Sequence, residues 1–217
     1  MSAADLFRAA SADLDTIRER DPSVRSRTEA LLHPSLPALW GHRVAHRLHR
    51  RGLRRAARLV SVAARVLSGS IEIHPGAEIG RRFFVDHGAG VVIGETAVIG
   101  DDVTVFHQVT LGSVGWWHDA ARPEGSRRHP RLGDRVVIGA NATLLGPITV
   151  GDDAVIGAQA LVVEDVPGGS RVLAPKAAPA RRRLQPAGLP PLQQFHHPAA
   201  AAAGGRDRGA VTAFPTW

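Results

Sequence analysis

Two stretches of the chain concentrate side chains that can move protons or hold anions. The first is Val85-Asp86-His87-Gly88-Ala89-Gly90, a histidine beside a carboxylate and among small residues. The second runs from Gly112 to Arg131 and carries Trp116, Trp117 and the triplet Arg127-Arg128-His129. A histidine, with a pKa near ~6.5, can accept a hydroxyl proton at neutral pH as the oxygen attacks an electrophile. A guanidinium is a planar fork suited to a carboxylate. Cysteine is absent, which removes thiol nucleophiles, disulfides and thiolate metal sites. His74, His87, His107 and His129 raise zinc, bound by histidines shared between subunits, as another chemistry. Zinc needs about three converging imidazoles, and these spacings lack a local histidine pair, so no metal is expected.

Both stretches interrupt a repeat. From Ile73 to about Val166 an aliphatic residue returns every sixth position: Ile93, Ile99, Val105 and Leu111, then Leu132, Ile138, Leu144, Val150, Ile156 and Val162. A helix repeats at 3.6 residues and a strand at two, so neither sustains a period of six. A hexapeptide repeat does: six residues make one short strand and a corner, and three such units make one coil of a triangular parallel β-helix. One coil cannot bury its own ladder, so coils must stack, and about a dozen hexads predict about four. Ile73, Ile79 and Val85 set an early frame, and Ile93 arrives two residues late. That slip contains His87. The second break, Gly112 to Arg131, loses the ladder altogether. Insertions in a solenoid become loops on one face, often the binding face.

The remainder of the chain bounds the organisation. Residues 1–70 read as a helical domain, with boundaries at Asp21-Pro22 and breaks at His33-Pro34 and Leu36-Pro37. A helix is expected from Ala38 to Arg51, and an amphipathic one carries Leu53, Ala56, Ala57, Val60, Ala64 and Leu67. Residues 71–174 are the β-helix, with its insertion near 113–131. Residues 175–217 are rich in Ala, Pro and Arg and are expected to be disordered. By composition the fold class is α+β. The first residues lack the pattern of a signal peptide, and no apolar run approaches the ~18 residues of a membrane span. A cytoplasmic protein is expected. The net charge of +7 favours anionic ligands. Nucleic acid is not expected as a partner, because the arginines are not interleaved with stacking aromatics and tyrosine is absent.

Several motifs together resemble serine O-acetyltransferases. They are Asp21-Pro22-Ser23-Val24, His42-Arg43-Val44-Ala45-His46, Ile73-His74-Pro75-Gly76-Ala77-Glu78-Ile79-Gly80 and the run from Asp86-His87-Gly88 to Ile99-Gly100. Gln108-Val109-Thr110-Leu111-Gly112, Arg128-His129-Pro130 and Ile138-Gly139-Ala140 continue the likeness, which covers about residues 15–170. The hexad repeat is shared by many acyltransferases; the Asp-His-x-x-Gly-x-Val-Ile-Gly-Glu-Thr-Ala stretch is far more specific.

The resemblance implies an N-terminal helical domain followed by a left-handed parallel β-helix. It implies transfer of acetyl from acetyl-CoA to the hydroxyl of L-serine, for cysteine biosynthesis. His87 takes the position of the catalytic base. Glu72, fifteen residues earlier, stands where the family has the aspartate that orients it, with Glu78 as a competing orienter. Arg128 corresponds to the carboxylate clamp, His129 to a second acceptor ligand, and Asp21 and Asp86 to the acids that meet the ammonium and hydroxyl end. Ala140 and Ala158 correspond to contacts of the CoA arm, and a backbone N–H near Gly112 or Ser113 faces the oxyanion. A homotrimer with sites between subunits is implied. Longer members pair trimers into hexamers, but about seventy helical residues are short for that. Family members also dock a tail ending in isoleucine into the next enzyme of cysteine synthesis; this chain ends in Phe214-Pro215-Thr216-Trp217. Two further departures are the lengthened loop with Trp116-Trp117 and Leu173-Ala174-Pro175-Lys176-Ala177 in place of Ala-Gly-x-Pro-Ala. They leave two alternatives: a related acyltransferase with another hydroxyl acceptor, and a non-catalytic scaffold.

Overall fold

The computed structural model describes residues 3–177, and Met1–Lys176 form one compact unit. The expected disorder of the tail falls on residues outside those described from 178 onward.

Four helices precede the solenoid. Helix α1 (Ala3–Arg20) stops at Asp21-Pro22, as the restriction on a residue before proline predicts. The short α2 (Arg27–Ala30) opens on a capping box: Ser26 Oγ accepts from Glu29 N–H at 3.1 Å, and the Glu29 carboxylate accepts from Ser26 N–H at 3.2 Å. Helix α3 (Leu36–Arg50) begins earlier than expected. Pro37 does not break it but sits in its first turn, where a missing N–H leaves no helical bond unmade. Helix α4 (Arg54–Leu67) crosses α3 at Gly41, where a Cβ would lie 2.4 Å from that of Ala64, so only glycine permits this approach.

The hexads form three parallel sheets. The first stacks β1 (Glu72–Ile73), β4 (Val92–Ile93), β7 (Thr110–Gly112), β10 (Thr143–Leu145) and β13 (Leu161–Val162). The second stacks β2 (Glu78–Ile79), β5 (Val98–Ile99), β8 (Arg131–Leu132) and β11 (Thr149–Val150), extended by a bridge from Val150 to Val166. The third stacks β3 (Phe84–Val85), β6 (Thr104–Val105), β9 (Val137–Ile138), β12 (Val155–Ile156) and β14 (Arg171–Val172). Register places the lead aliphatics over one another, as in Ile73–Ile93 and Ile93–Leu111. Their side chains fill the buried interior of a left-handed β-helix. Three strands to a turn make five coils, one more than the hexad count predicts. The fifth begins with β13; beyond Val162, Pro167 and glycines blur the period, but Val166 and Val172 still keep their places.

The helices share this core. Ala38 and Leu39 pack with Ile71 and Ile73, and Ile17, Ala30 and Leu36 pack with Phe84. Arg20 binds the Asp102 carboxylate at 2.7 Å and Thr104 Oγ1 at 2.8 Å, fixing the end of α1 against the solenoid. A buried ion pair, Asp13–Arg43, ties α1 to α3; burial raises the Asp13 pKa and Arg43 pulls it back.

His42 on α3 is buried, and its pKa is pushed down to about 3 by burial, then by His46 and Arg43. His74, in the corner beneath α3, is pushed down to about 4 by burial and then by Arg58. Both rings are neutral when folded and gain a proton near pH ~6.5 when unfolded. The unfolded state therefore binds more protons below that pH, and stability falls as pH drops. The urea midpoint is expected to decline steadily from pH 6.5 to 4 and to stay flat just above 6.5. His42→Leu should make the decline shallower; an unchanged slope would refute the assignment.

Candidate active site

The frame slip makes a tight, outward corner between β3 and β4. Gly88 N–H bonds Asp86 C=O at 2.7 Å, and Ala89 N–H bonds His87 C=O at 2.8 Å. His87 takes the left-handed conformation (φ +58°) and Gly88 follows at φ +65°, so the chain turns sharply enough to project the imidazole. At Gly88 a Cβ would lie 2.3 Å from Ile71 Cδ1, so a larger residue would have to displace the buried Ile71 side chain and take the left-handed φ as well. The His87 side chain is 76% exposed, and its Nε2 lies 3.5 Å from Asp86 Oδ1. The His107 ring stands edge-on at 6.0 Å between centroids.

Asp21 reaches this corner from the end of α1. Hydrogen bonds from the Ser23 hydroxyl (2.7 Å) and N–H (2.9 Å) lower its pKa, and the nearby His33 and His87 favour its charge further. His33 was not singled out by the sequence reading. It is buried, its Nδ1 accepts from Ser35 N–H at 3.3 Å, and its Nε2 faces Asp21 at 3.7 Å. Burial lowers its pKa, with Asp21 and Asp86 opposing. A neutral ring with Nδ1 as acceptor carries its proton on Nε2, directed at the Asp21 carboxylate. Asp21, His33, Asp86 and His87 thus form one polar group. Of these, Asp21, Asp86 and His87 lie in motifs that the sequence marks, and His33 does not.

Arg128 and His129 lie elsewhere, at the corner between the first and second sheets. His129 is buried, and its Nδ1 accepts from Thr96 N–H at 3.2 Å, which leaves Nε2 as the protonated nitrogen of the neutral ring. Burial, then Arg128, holds its pKa below the usual value. The ring packs over Gly94, where a Cβ would lie 2.0 Å away. Thr96 Oγ1 also accepts from Arg128 N–H at 2.8 Å. One Arg128 terminal nitrogen bonds Glu95, and the other lies 3.4 Å from Asp119. Arg128, Glu95, Thr96 and Asp119 border a cleft of about 1100 Å³ under the 113–130 insertion, whose only helix is α5 (Trp116–Asp119).

The remaining predicted residues divide between these corners. Ala140 and Ala158 stand in the column below His87, and Gln159 N–H bonds Ala140 C=O at 2.9 Å. Beneath Ala140 the column is narrow: a Cβ on Gly139 would lie 2.5 Å from Ala158 N. Gly112 ends β7 and Ser113 enters the cleft with Arg128. Glu72 lies on β1, and its carboxylate is 2.7 Å from Arg65 on α4, turned to that helix and not to the His87 ring of the same chain. Glu78 borders the Arg128 cleft and not the His87 corner of the same chain. In one chain, then, the His87 corner and the Arg128 corner occupy opposite edges of the first sheet. Among the described residues no three ligating side chains converge on a metal position, and no helix is long and apolar enough to cross a membrane.

A coiled ladder with an exposed histidine at one edge and an arginine cleft at the other is the arrangement of a hexapeptide-repeat transferase. Residues 129–163 match the bacterial transferase hexapeptide (six repeats) family. The chain is 48% identical over 169 residues to the serine acetyltransferase of Mycobacterium tuberculosis, covering 77% of this chain and 70% of that one. It is 51% identical over 168 residues to the Helicobacter pylori serine acetyltransferase, covering 77% and 94%. A crystal structure of the Neisseria gonorrhoeae serine acetyltransferase in complex with serine superposes with TM-score 0.71 at 38% identity, covering 81% and 69%. Serine acetyltransferase isoform 3 from Entamoeba histolytica, in complex with cysteine, gives TM-score 0.73 at 34% identity; this chain covers 62% of its length. The chain belongs to the serine acetyltransferase family.

Proposed function

We propose that the protein transfers acetyl from acetyl-CoA to the hydroxyl of L-serine, giving O-acetyl-L-serine for cysteine biosynthesis. The observation that carries this reading is the separation just described. His87 with Asp86 and Asp21 offers a base and two carboxylates for an ammonium group, and Arg128 with His129 offers donors for a carboxylate. No single chain brings them together. A second copy packed against the first sheet completes the site, so a trimer is the assembly proposed. Exposed apolar residues on the intervening face, Val92, Leu161 and Val163, support such packing.

His87 accepts the serine hydroxyl proton as the oxygen bonds to the thioester carbonyl carbon. Collapse breaks the C–S bond, and the imidazolium returns the proton to the departing thiolate. Attack is direct, since the chain has no cysteine to carry the acyl group. Asp86 is the carboxylate within reach of the His87 ring, while Glu72 would hold it only after leaving Arg65. The thioester arm fits the column of small corner residues Ala140 and Ala158, where side chains leave backbone groups open to an extended ligand. Gly112 and Ser113 would supply the oxyanion N–H from the other edge.

The test is release of free thiol from acetyl-CoA with serine, homoserine or threonine as acceptor. Turnover is expected with serine at the highest kcat/KM. Release with another acceptor and none with serine would overturn the substrate assignment, and no release with any would favour a scaffold.

A further inference from the structure

Resting on the serine reading, we infer that Asp119 is a positioning residue for Arg128, so that the insertion between β7 and β8 is a working part of the acceptor site. The insertion breaks the hexad ladder and gives no periodic signal of its own. Its helix α5 exposes Trp116 and Trp117, at 78% and 59%. The Asp119 side chain at the end of the same helix is only 12% exposed. It is turned inward, with one oxygen 3.4 Å from an Arg128 terminal nitrogen and the other 3.7 Å from Arg122 Nε.

Arg128 is thereby held from three sides. Glu95 bonds one terminal nitrogen, Asp119 lies against the other, and Thr96 fixes the backbone N–H. A guanidinium on a long flexible stem loses much freedom when it clamps a ligand, and fixing its plane beforehand removes that cost from binding. A lone acid here would repel the acceptor carboxylate, but Arg122 on its far oxygen balances the charge. The edge-on Trp116–Trp117 pair, 6.0 Å between centroids, and the bonds from Asp119 N–H to Gly115 C=O (3.0 Å) and Ala120 N–H to Trp116 C=O (2.8 Å) keep the turn in shape.

The experiment is steady-state kinetics of the Asp119→Asn, Asp119→Glu and wild-type enzymes. Serine is compared with ethanolamine, an acceptor that has the hydroxyl and the ammonium but no carboxylate. Asp119→Asn is expected to raise the serine KM about tenfold, the scale of one weakened charge-assisted contact. The kcat, the acetyl-CoA KM and the ethanolamine kcat/KM should stay within about twofold, and Asp119→Glu should recover part of the loss. A serine KM unchanged or lowered in Asp119→Asn, or an equal loss with ethanolamine, overturns the inference alone. Absence of serine turnover in the wild type removes the underlying reading and the inference with it.

Discussion

Replacing His87 with alanine is expected to lower kcat for acetyl transfer by about 10²- to 10⁴-fold, the usual contribution of a positioned general base. The folded state should be unaffected. The ring is 76% exposed and sits in a corner closed by backbone hydrogen bonds and by Gly88, not by the imidazole. Alanine can keep the left-handed turn at a modest strain already present for histidine, since both carry a Cβ. Matching urea midpoints with lost turnover is the expected pair of results; retained turnover would remove His87 from the reaction. Glu72→Gln, measured beside it, should lose less than about tenfold, because the Glu72 carboxylate is already engaged by Arg65. A loss as deep as that of His87→Ala would mean that Glu72 leaves Arg65 to hold the ring.

The second large effect is recovery of activity by mixing two inactive variants. Arg128→Ala is expected to raise the serine KM by about 10- to 100-fold, the scale of charge-assisted hydrogen bonds removed from a carboxylate. At low serine both His87→Ala and Arg128→Ala are then nearly silent. Co-expressed in equal amounts, the two variants would, in the proposed trimer, meet at some interfaces that join the intact His87 corner of one chain to the intact Arg128 corner of its neighbour. Random assembly makes about a quarter of the interfaces fully wild type. Activity at low serine should therefore return to about a quarter of the wild-type value per site. Sites contained within single chains would give no recovery, and that result would overturn the proposed assembly.

The fold was legible because an inward aliphatic every six residues satisfies a triangular coil and neither a helix nor a flat strand. Ile93 and Leu111 stand three hexads apart, the length of one coil, and they stack, with Leu144 continuing the same column beyond the insertion. The slip at His87 and the gap before Arg131 were legible for the same reason, since a solenoid must expel whatever fails to fit its period. The extra coil was not, because Pro167 and the glycines hide hexads whose strands are held by their neighbours' backbone bonds. Pro37 likewise reads as a break when its position within the first helical turn is unknown.

The partners of the site residues had no such signal. Thr96 was inside a quoted motif, yet its role in orienting His129 rests on a contact across 33 residues of chain. His33 against Asp21 lies on an irregular segment, and Asp119 against Arg128 on a single helical turn, too short for a period to mark which way a side chain turns. By itself the sequence determined the coil, its core and the two places where the coil opens, because those follow from local period and burial. Only the tertiary structure decided that the two openings face opposite edges of one sheet. The edge on which a corner falls depends on how many strands precede it around the turn, and the charges that meet there are brought together by stacking.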